Sequence, residues 1–450
     1  MAGKQPTGYF RLLRHASPQA VERAGKRLSR YLPNGNWVAA TNAYAVNALA
    51  QLKMAGNGQR ADRPLEEFVA ASVGLHCADA WTYLGRALDC HMHGDTENAV
   101  HLAYYAELRA AMSVLASAGI GIFDHQHVVI GSGQCYQSKS SEGTHKAAWS
   151  ALKLWASSTH AATMLGQIIL PGDSQRVLAD WLAAFTGASQ LKAIGADWLL
   201  AWGLDLERVA SDQIDRNVVS YRPSRSLAPS PVVVVESAEF LDGLWSLCEP
   251  TVGSPFHILD SYLLRRSLEH AFKATTGRSA TDSRSAQAFL LTVRQVVSGL
   301  AFGESRTETR WEQFLSRTTN SADPTIFQLA EGSSKPGNPR HYFEVTARAA
   351  LLLRIATGAC SRFLFNSGLA AADIRPWQTR WAEDRGFWMP GGDPGDLAEL
   401  WQDVRDVLKD VVAWQVTNDA KNPSRFAWRE ELPQTLRFLS ECERVALWAF

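Results

Sequence analysis

Apolar residues recur at intervals of three and four along most of the 450-residue chain, the spacing that gathers them on one side of a helix. Alternating apolar and polar runs are few: Val128 to Ile130, beside a glycine-rich turn, and Pro231 to Val235. The pattern predicts a mainly α-helical protein of multi-helical bundles, with minor β elements near 126–130 and 231–235. Its clearest helix signals lie between 76 and 119. Gly94 closes one helix, Asp95 caps the next and Gly119 ends it, which predicts a hairpin of helices over 76–93 and 96–118. Ser17 followed by Pro18 is an N-cap and first-turn pair, so a helix is expected from Pro18 to Tyr31. Further helices are expected at 145–157, 174–186, 188–210, 259–273, 286–300, 342–364 and 397–416.

The segment from Tyr221 to Pro231 holds three prolines among small and charged residues, so no helix runs through it. Two helical domains are therefore expected: a basic N-terminal segment at 1–65 and a histidine-rich domain at 66–220, then a linker at 221–235 and a C-terminal domain at 236–450. No apolar run approaches the roughly 18 residues needed to cross a bilayer, so no membrane partner is expected. Six cysteines are scattered from Cys77 to Cys442 without CxxC pairs, which suits reduced thiols and a cytoplasmic setting. Arginine outnumbers lysine 34 to 11, which points to a GC-rich genome and a bacterial source.

Charge and chemistry sharpen the picture in the first half. Residues 1–65 hold ten Lys and Arg against Glu22 and Asp62, with Arg23, Lys26, Arg27 and Arg30 on the expected helix. Such a face suits a nucleic-acid backbone or an acidic partner, or is simply solvated. Eight of the twelve histidines fall between His76 and His160. On the first hairpin helix Arg86 and His93 share a face, and on the second His101, Tyr105 and Arg109 follow one another at intervals of four. Two such stripes on antiparallel helices can face each other. Guanidinium groups holding phosphate oxygens beside imidazoles that move protons would suit phosphate-ester chemistry. A structural alternative is a polar seam in which His101 and Tyr105 bond to Glu107 or Arg109 and set helix register.

Other chemistries compete for the same region. His91-x-His93 and His125-x-His127, with Cys77, Cys90, Cys135 or His145, offer zinc-type ligands, but a helix turns the two residues of an HxH unit about 200° apart. Cys135 after a glycine-rich turn offers a nucleophile with His145 or His160 as base. There is no Walker A sequence and no GxSxG elbow, so nucleotide-cofactor chemistry is not expected.

Arg86 followed by His91 or His93 resembles the Arg-x4–6-His signature of the HEPN superfamily, over residues 76–160. That resemblance implies a helical, metal-independent RNase or RNA-binding protein with no cofactor. It also implies Arg86 as the phosphate-contacting group and one of the two histidines as acid or base at a 2′-hydroxyl. A homodimer and a role in bacterial phage defence or stress go with it. The rival expectation is a noncatalytic helical scaffold whose seam is structural and whose tryptophan-rich surfaces bind a partner protein.

Overall fold

The hairpin marked by Gly94 and Asp95 lies at the centre of the fold, in a computed structural model that describes residues 8–54, 58–139, 142–172, 175–183, 195, 197–221, 234–251, 253–417, 430–431 and 435–450. Helices of ten residues or more are numbered along the chain: α1 Pro18–Leu28, α2 Ala43–Met54, α3 Arg63–Met92, α4 Thr96–Ser117, α5 Thr144–Ala156, α6 Thr159–Ile168 and α7 Leu206–Tyr221. They continue as α8 Val234–Leu247, α9 His257–Thr276, α10 Ala286–Gly299, α11 Ser305–Leu315, α12 Pro339–Asn366, α13 Ala371–Arg385 and α14 Glu399–Thr417. The protein is mainly α-helical, as the periodicity predicts. Among the described residues no helix is long and apolar enough to cross a membrane.

Local capping explains the hairpin. Gly94 takes the left-handed conformation with φ 85°, and the Asp95 carboxylate accepts the Asn98 N–H at 3.1 Å to open α4. Ser17 opens α1 in the same way, accepting the Ala20 N–H at 3.3 Å with Pro18 in the first turn. Helix α3 begins thirteen residues before the expected position 76, at Arg63, with Asp62 as its cap. From Val69 to Gly74 every residue is buried, so this stretch lacks the polar face that gives a helix its visible period.

The long helix α12 packs on both arms of the hairpin. Trp81 of α3 donates its indole N–H to Thr357 at 3.0 Å, and the Tyr342 ring stacks on His91 at 4.0 Å. One hydrophobic core runs from Tyr9 to Ala449 and takes residues from both sides of the 221–235 segment. Most of that segment, 222–233, lies outside the described residues. The strand expected at 231–235 is corrected at its end, because α8 starts at Val234. Ala238, Leu241, Leu244 and Trp245 are buried at helical spacing, and that burial prevails over the β propensity of the preceding valines.

The helix expected over 188–210 is also corrected. A short helix, Trp198–Ala201, ends at Gly203 with φ 89°, and α7 begins afresh at Leu206 and runs eleven residues past position 210. The break lets Trp202 turn inward and donate to Ser267 at 2.8 Å. Residues 184–194 lie outside the described set. The expected β element near 126–130 belongs to a four-stranded antiparallel sheet, in which β1 Gly58–Arg60, β2 Ile120–Ile122, β3 Gln126–Gly131 and β4 Gln134–Lys139 lie in the order β1-β4-β3-β2. Strands β1 and β2 have three residues each, too short for an alternating pattern to show.

Candidate functional site

The residues expected to act together on α3 occupy three different surroundings. Arg86 is exposed and lies among the charges of Asp79, Arg385 and Glu443. His91 is buried: its Nε2 lies 2.8 Å from the Ser237 hydroxyl, and its ring stacks on Tyr342 with Phe343 edge-on at 5.1 Å. His93 is the exposed C-cap of α3, with Nδ1 2.8 Å from the Asp89 carbonyl of the preceding turn. The pairing of Arg86 with His91 or His93 is thus replaced by a core histidine and a capping one. The hairpin turn swings position 93 outward, while packing against α12 draws position 91 inward.

The second stripe holds together. His101, Tyr105 and Arg109 lie along one face of α4 and meet His76 and Tyr83 of α3, His145 of α5 and Arg216 of α7. Tyr105 is the hub. Its ring lies 5.0 Å from His101, 5.4 Å from Tyr83 and 5.8 Å from His145, and its hydroxyl accepts a hydrogen bond from Arg216 Nη2 at 2.5 Å. Arg109 Nη1 donates to His76 Nδ1 at 3.1 Å, and Arg109 Nε stands 3.9 Å from Asp79.

These hydrogen bonds assign the protons. A guanidinium only donates, so Nδ1 of His76 accepts and the ring proton sits on Nε2. Burial, followed by the adjacent Arg109 charge, pushes the His76 imidazole down to about 3, so it is neutral at pH 7. An indole likewise only donates: Trp149 gives its N–H to the Tyr104 oxygen at 3.2 Å, which directs the phenolic proton to His145 Nδ1 at 2.7 Å. His145 therefore also carries its proton on Nε2. Burial and then Arg216 lower both His145 and His101 from the ordinary histidine value. The result is a half-buried cluster of neutral imidazoles, phenols and two guanidiniums that is rich in hydrogen-bond donors.

Beneath the cluster, a buried charge network joins α4, α7 and α12. Arg348 donates to both oxygens of Asp212, Nε at 2.9 Å and Nη2 at 3.0 Å, and its Nη1 reaches the carbonyls of Ala330 and Gly332. The Glu107 carboxyl lies 3.6 Å from Arg348 Nε with no exposed surface. Burial first, and then the Asp212 charge, raises Glu107 well above the usual carboxylate range; burial raises Asp212 to about 6. Both carboxyls are thus biased towards their protonated forms.

The basic helix is partly neutralised from within. Arg27 pairs with Glu66 at 2.5 Å and Glu67 at 3.2 Å, and Arg30, in the 3-10 turn that follows α1, pairs with Glu67 at 2.7 Å, so these two cations tie α1 and its C-terminal extension to α3. Arg23 and Lys26 are exposed and carry no ion pair among the described residues. His125 lies before β3 with φ 51°, whereas His127 is buried in β3 with Nε2 3.2 Å from the Glu142 carbonyl. Among the described residues no group of three or more His, Cys, Asp or Glu stands in metal-ligating geometry. Cys135 is buried in β4 with its sulfur 3.6 Å from the Asp62 carbonyl, a setting that holds a thiol in its inert form.

The sequence places His76 and His145 in a histidine-rich stretch and offers His145 as a zinc-type ligand or a base for Cys135, but it gives neither a place beside Arg109 or Tyr105. Arg216 carried no signal at all, because the helix bearing it was expected to end at 210. Comparison with protein-family profiles, characterised proteins and solved structures finds no match to this chain.

Proposed function

We propose that this protein binds single-stranded RNA at the cluster of His76, His101, Tyr105, Arg109, His145 and Arg216. The observation that carries the reading is the convergence of Arg109 and Arg216 with two imidazoles held as Nε2–H donors, beside the stacked rings of Tyr83 and Tyr105. Guanidinium and imidazole donors suit phosphate oxygens, and phenol faces suit unstacked bases. Of the two activities that the HEPN resemblance implies, binding is the better supported. His76 and His145 are arranged to donate rather than to take a proton, which leaves His101 as the group for proton transfer if the bound RNA is cleaved.

A noncatalytic scaffold is the second reading. It is favoured by the burial of His91 and by the commitment of Arg27 and Arg30 to Glu66 and Glu67. The test is fluorescence anisotropy of a labelled single-stranded RNA in EDTA, followed by gel analysis of the same RNA for cleavage. Wild type is compared with Arg109→Ala/Arg216→Ala and with Arg86→Ala/His93→Ala. Loss of binding in the first variant alone supports the cluster; equal binding by all three proteins, or none by any, shifts the reading to the scaffold.

A further inference from the structure

A second concavity, built from other elements, has a composition that points to a ligand. It lies between α9, α11 and the segment around Gly172, with a volume of about 730 Å3, within the range of small-molecule sites. Its apolar wall is aromatic: Tyr262 of α9, Phe302 before α11, and Trp311 and Phe314 of α11. Arg176 and Arg310 stand at its edge, and neither has an ion pair among the described residues. Arg310 also borders a shallower depression with Arg306 and Thr309, which extends the cationic edge outward.

The wall is held rigid from behind. Trp311 packs edge-on against Trp181 at 4.5 Å, Tyr262 against Phe314 at 5.2 Å, and the buried Arg265 guanidinium lies 4.8 Å from the ring centres of both Tyr262 and Phe314. Arg265 is itself held by Asp323 and by the Asn320 and Ala322 carbonyls. Rings fixed in this way stack on a ligand without first losing rotamer freedom.

Backbone strain is concentrated at the same place. Five described non-glycine residues have positive φ. Two of them, Ala301 at 47° and Asn320 at 49°, line the cavity. Gln175 at 53° immediately precedes Arg176, and Arg317 at 60° lies on the loop leading to Asn320. Alanine has no side-chain hydrogen bond to offset this strained conformation, and such residues gather where a ligand site is held open.

We propose that this cavity binds a ribonucleoside monophosphate. The base stacks on the aromatic wall, Arg176 and Arg310 take the phosphate, and His257, Thr307 and Asn320 offer polar groups to the sugar. The sequence carries no phosphate-binding glycine loop, so recognition rests on these side chains. The site uses none of the residues of the RNA-binding cluster.

Isothermal titration of the full-length protein with AMP, GMP, CMP and UMP tests it, with adenosine and inorganic phosphate as separate arms. The expected result is sub-millimolar binding of at least one monophosphate, with nucleoside and phosphate each weaker. Arg176→Ala/Arg310→Ala should lose about tenfold or more, at least the loss of one charge-assisted hydrogen bond, while Arg86→Ala/His93→Ala binds as wild type does. No heat with any of the four nucleotides overturns the proposal. So does adenosine or phosphate binding as tightly as the nucleotide, or an affinity unmoved by the Arg176/Arg310 change. Nucleotide binding lost only in the Arg109/Arg216 variant also overturns it, and assigns the ligand to the other cluster.

Discussion

Asp212 and Arg216 stand one helical turn apart on α7, the first gripped by Arg348 from inside the core and the second bonded to the Tyr105 hydroxyl at 2.5 Å. The buried pair thereby sets the height and rotation at which α7 delivers its guanidinium to the cluster. An electrostatic contact made at the core of the protein positions a group at its half-exposed face.

Arg348→Ala removes the only described cation that donates to Asp212 and leaves two buried carboxyls facing each other. Breaking one side of such a pair costs about 3–5 kcal/mol. The denaturation midpoint in urea should fall accordingly, and the anisotropy-measured RNA affinity should weaken with it as Arg216 loses its placement. A variant with wild-type stability would show that α7 is held by other means.

The same network gives stability a pH dependence of definite sign. Asp212 is raised from 3.8 in the unfolded chain to about 6 in the fold, and Glu107 is raised above its unfolded 4.5. The folded state therefore holds protons that the unfolded state has released. This contribution is full below the unfolded values and is lost as pH rises through the folded ones. Glu107→Gln is free of its share, so its stability relative to wild type should improve with each pH unit above about 4.5. His76 acts in the opposite sense: lowered from 6.5 to about 3, its contribution is full above 6.5 and is lost as pH falls. His76→Gln should gain on wild type as pH drops below 6.5. Parallel curves for all three proteins across pH 4–8 would contradict these assignments.

His91 is a packing residue. Replacing it by alanine removes the stack on Tyr342 and the partner of Ser237, with an expected loss of about 2–4 kcal/mol by analogy with other large-to-small core changes. RNA affinity, measured at a temperature where the variant is folded, should not change. An affinity loss at full folding would return His91 to the functional set.

Tyr104→Phe breaks the relay from Trp149 to His145 while keeping the ring. The expected cost in RNA binding is about 1 kcal/mol, or roughly fivefold. The His145 side-chain nitrogen resonances report it directly, shifting from a single Nε2–H tautomer towards a mixture. A spectrum identical to wild type would show that Tyr104 does not fix the proton.

Salt dependence counts the phosphates engaged. For single strands each neutralised phosphate contributes about 0.7 to the slope of log affinity against log salt. Arg109→Ala/Arg216→Ala should lower that slope by about 1.4, while Arg86→Ala/His93→Ala leaves it unchanged. Equal slopes would place the phosphate contacts elsewhere, with exposed Arg23 and Lys26 the next cations to change.

What the sequence by itself determined is what acts within a turn or two of chain. Ser17 with Pro18, Gly94 with Asp95, and the spacing of His101, Tyr105 and Arg109 are local relationships, so the helical class, the hairpin and the surviving stripe were legible. The sheet was largely invisible because β1 and β2 are three residues long, and α7 was misplaced because one glycine interrupts an apolar run. The partners of each side chain were decided only in the folded molecule. Arg216 meets Tyr105 across 111 positions, His91 meets Ser237 across 146, and Arg348 meets Asp212 across 136. Helix caps are short-range hydrogen bonds that residue type specifies directly. Whether a histidine stacks in the core or faces a guanidinium depends on how distant helices pack, and that is settled by the burial of the whole chain.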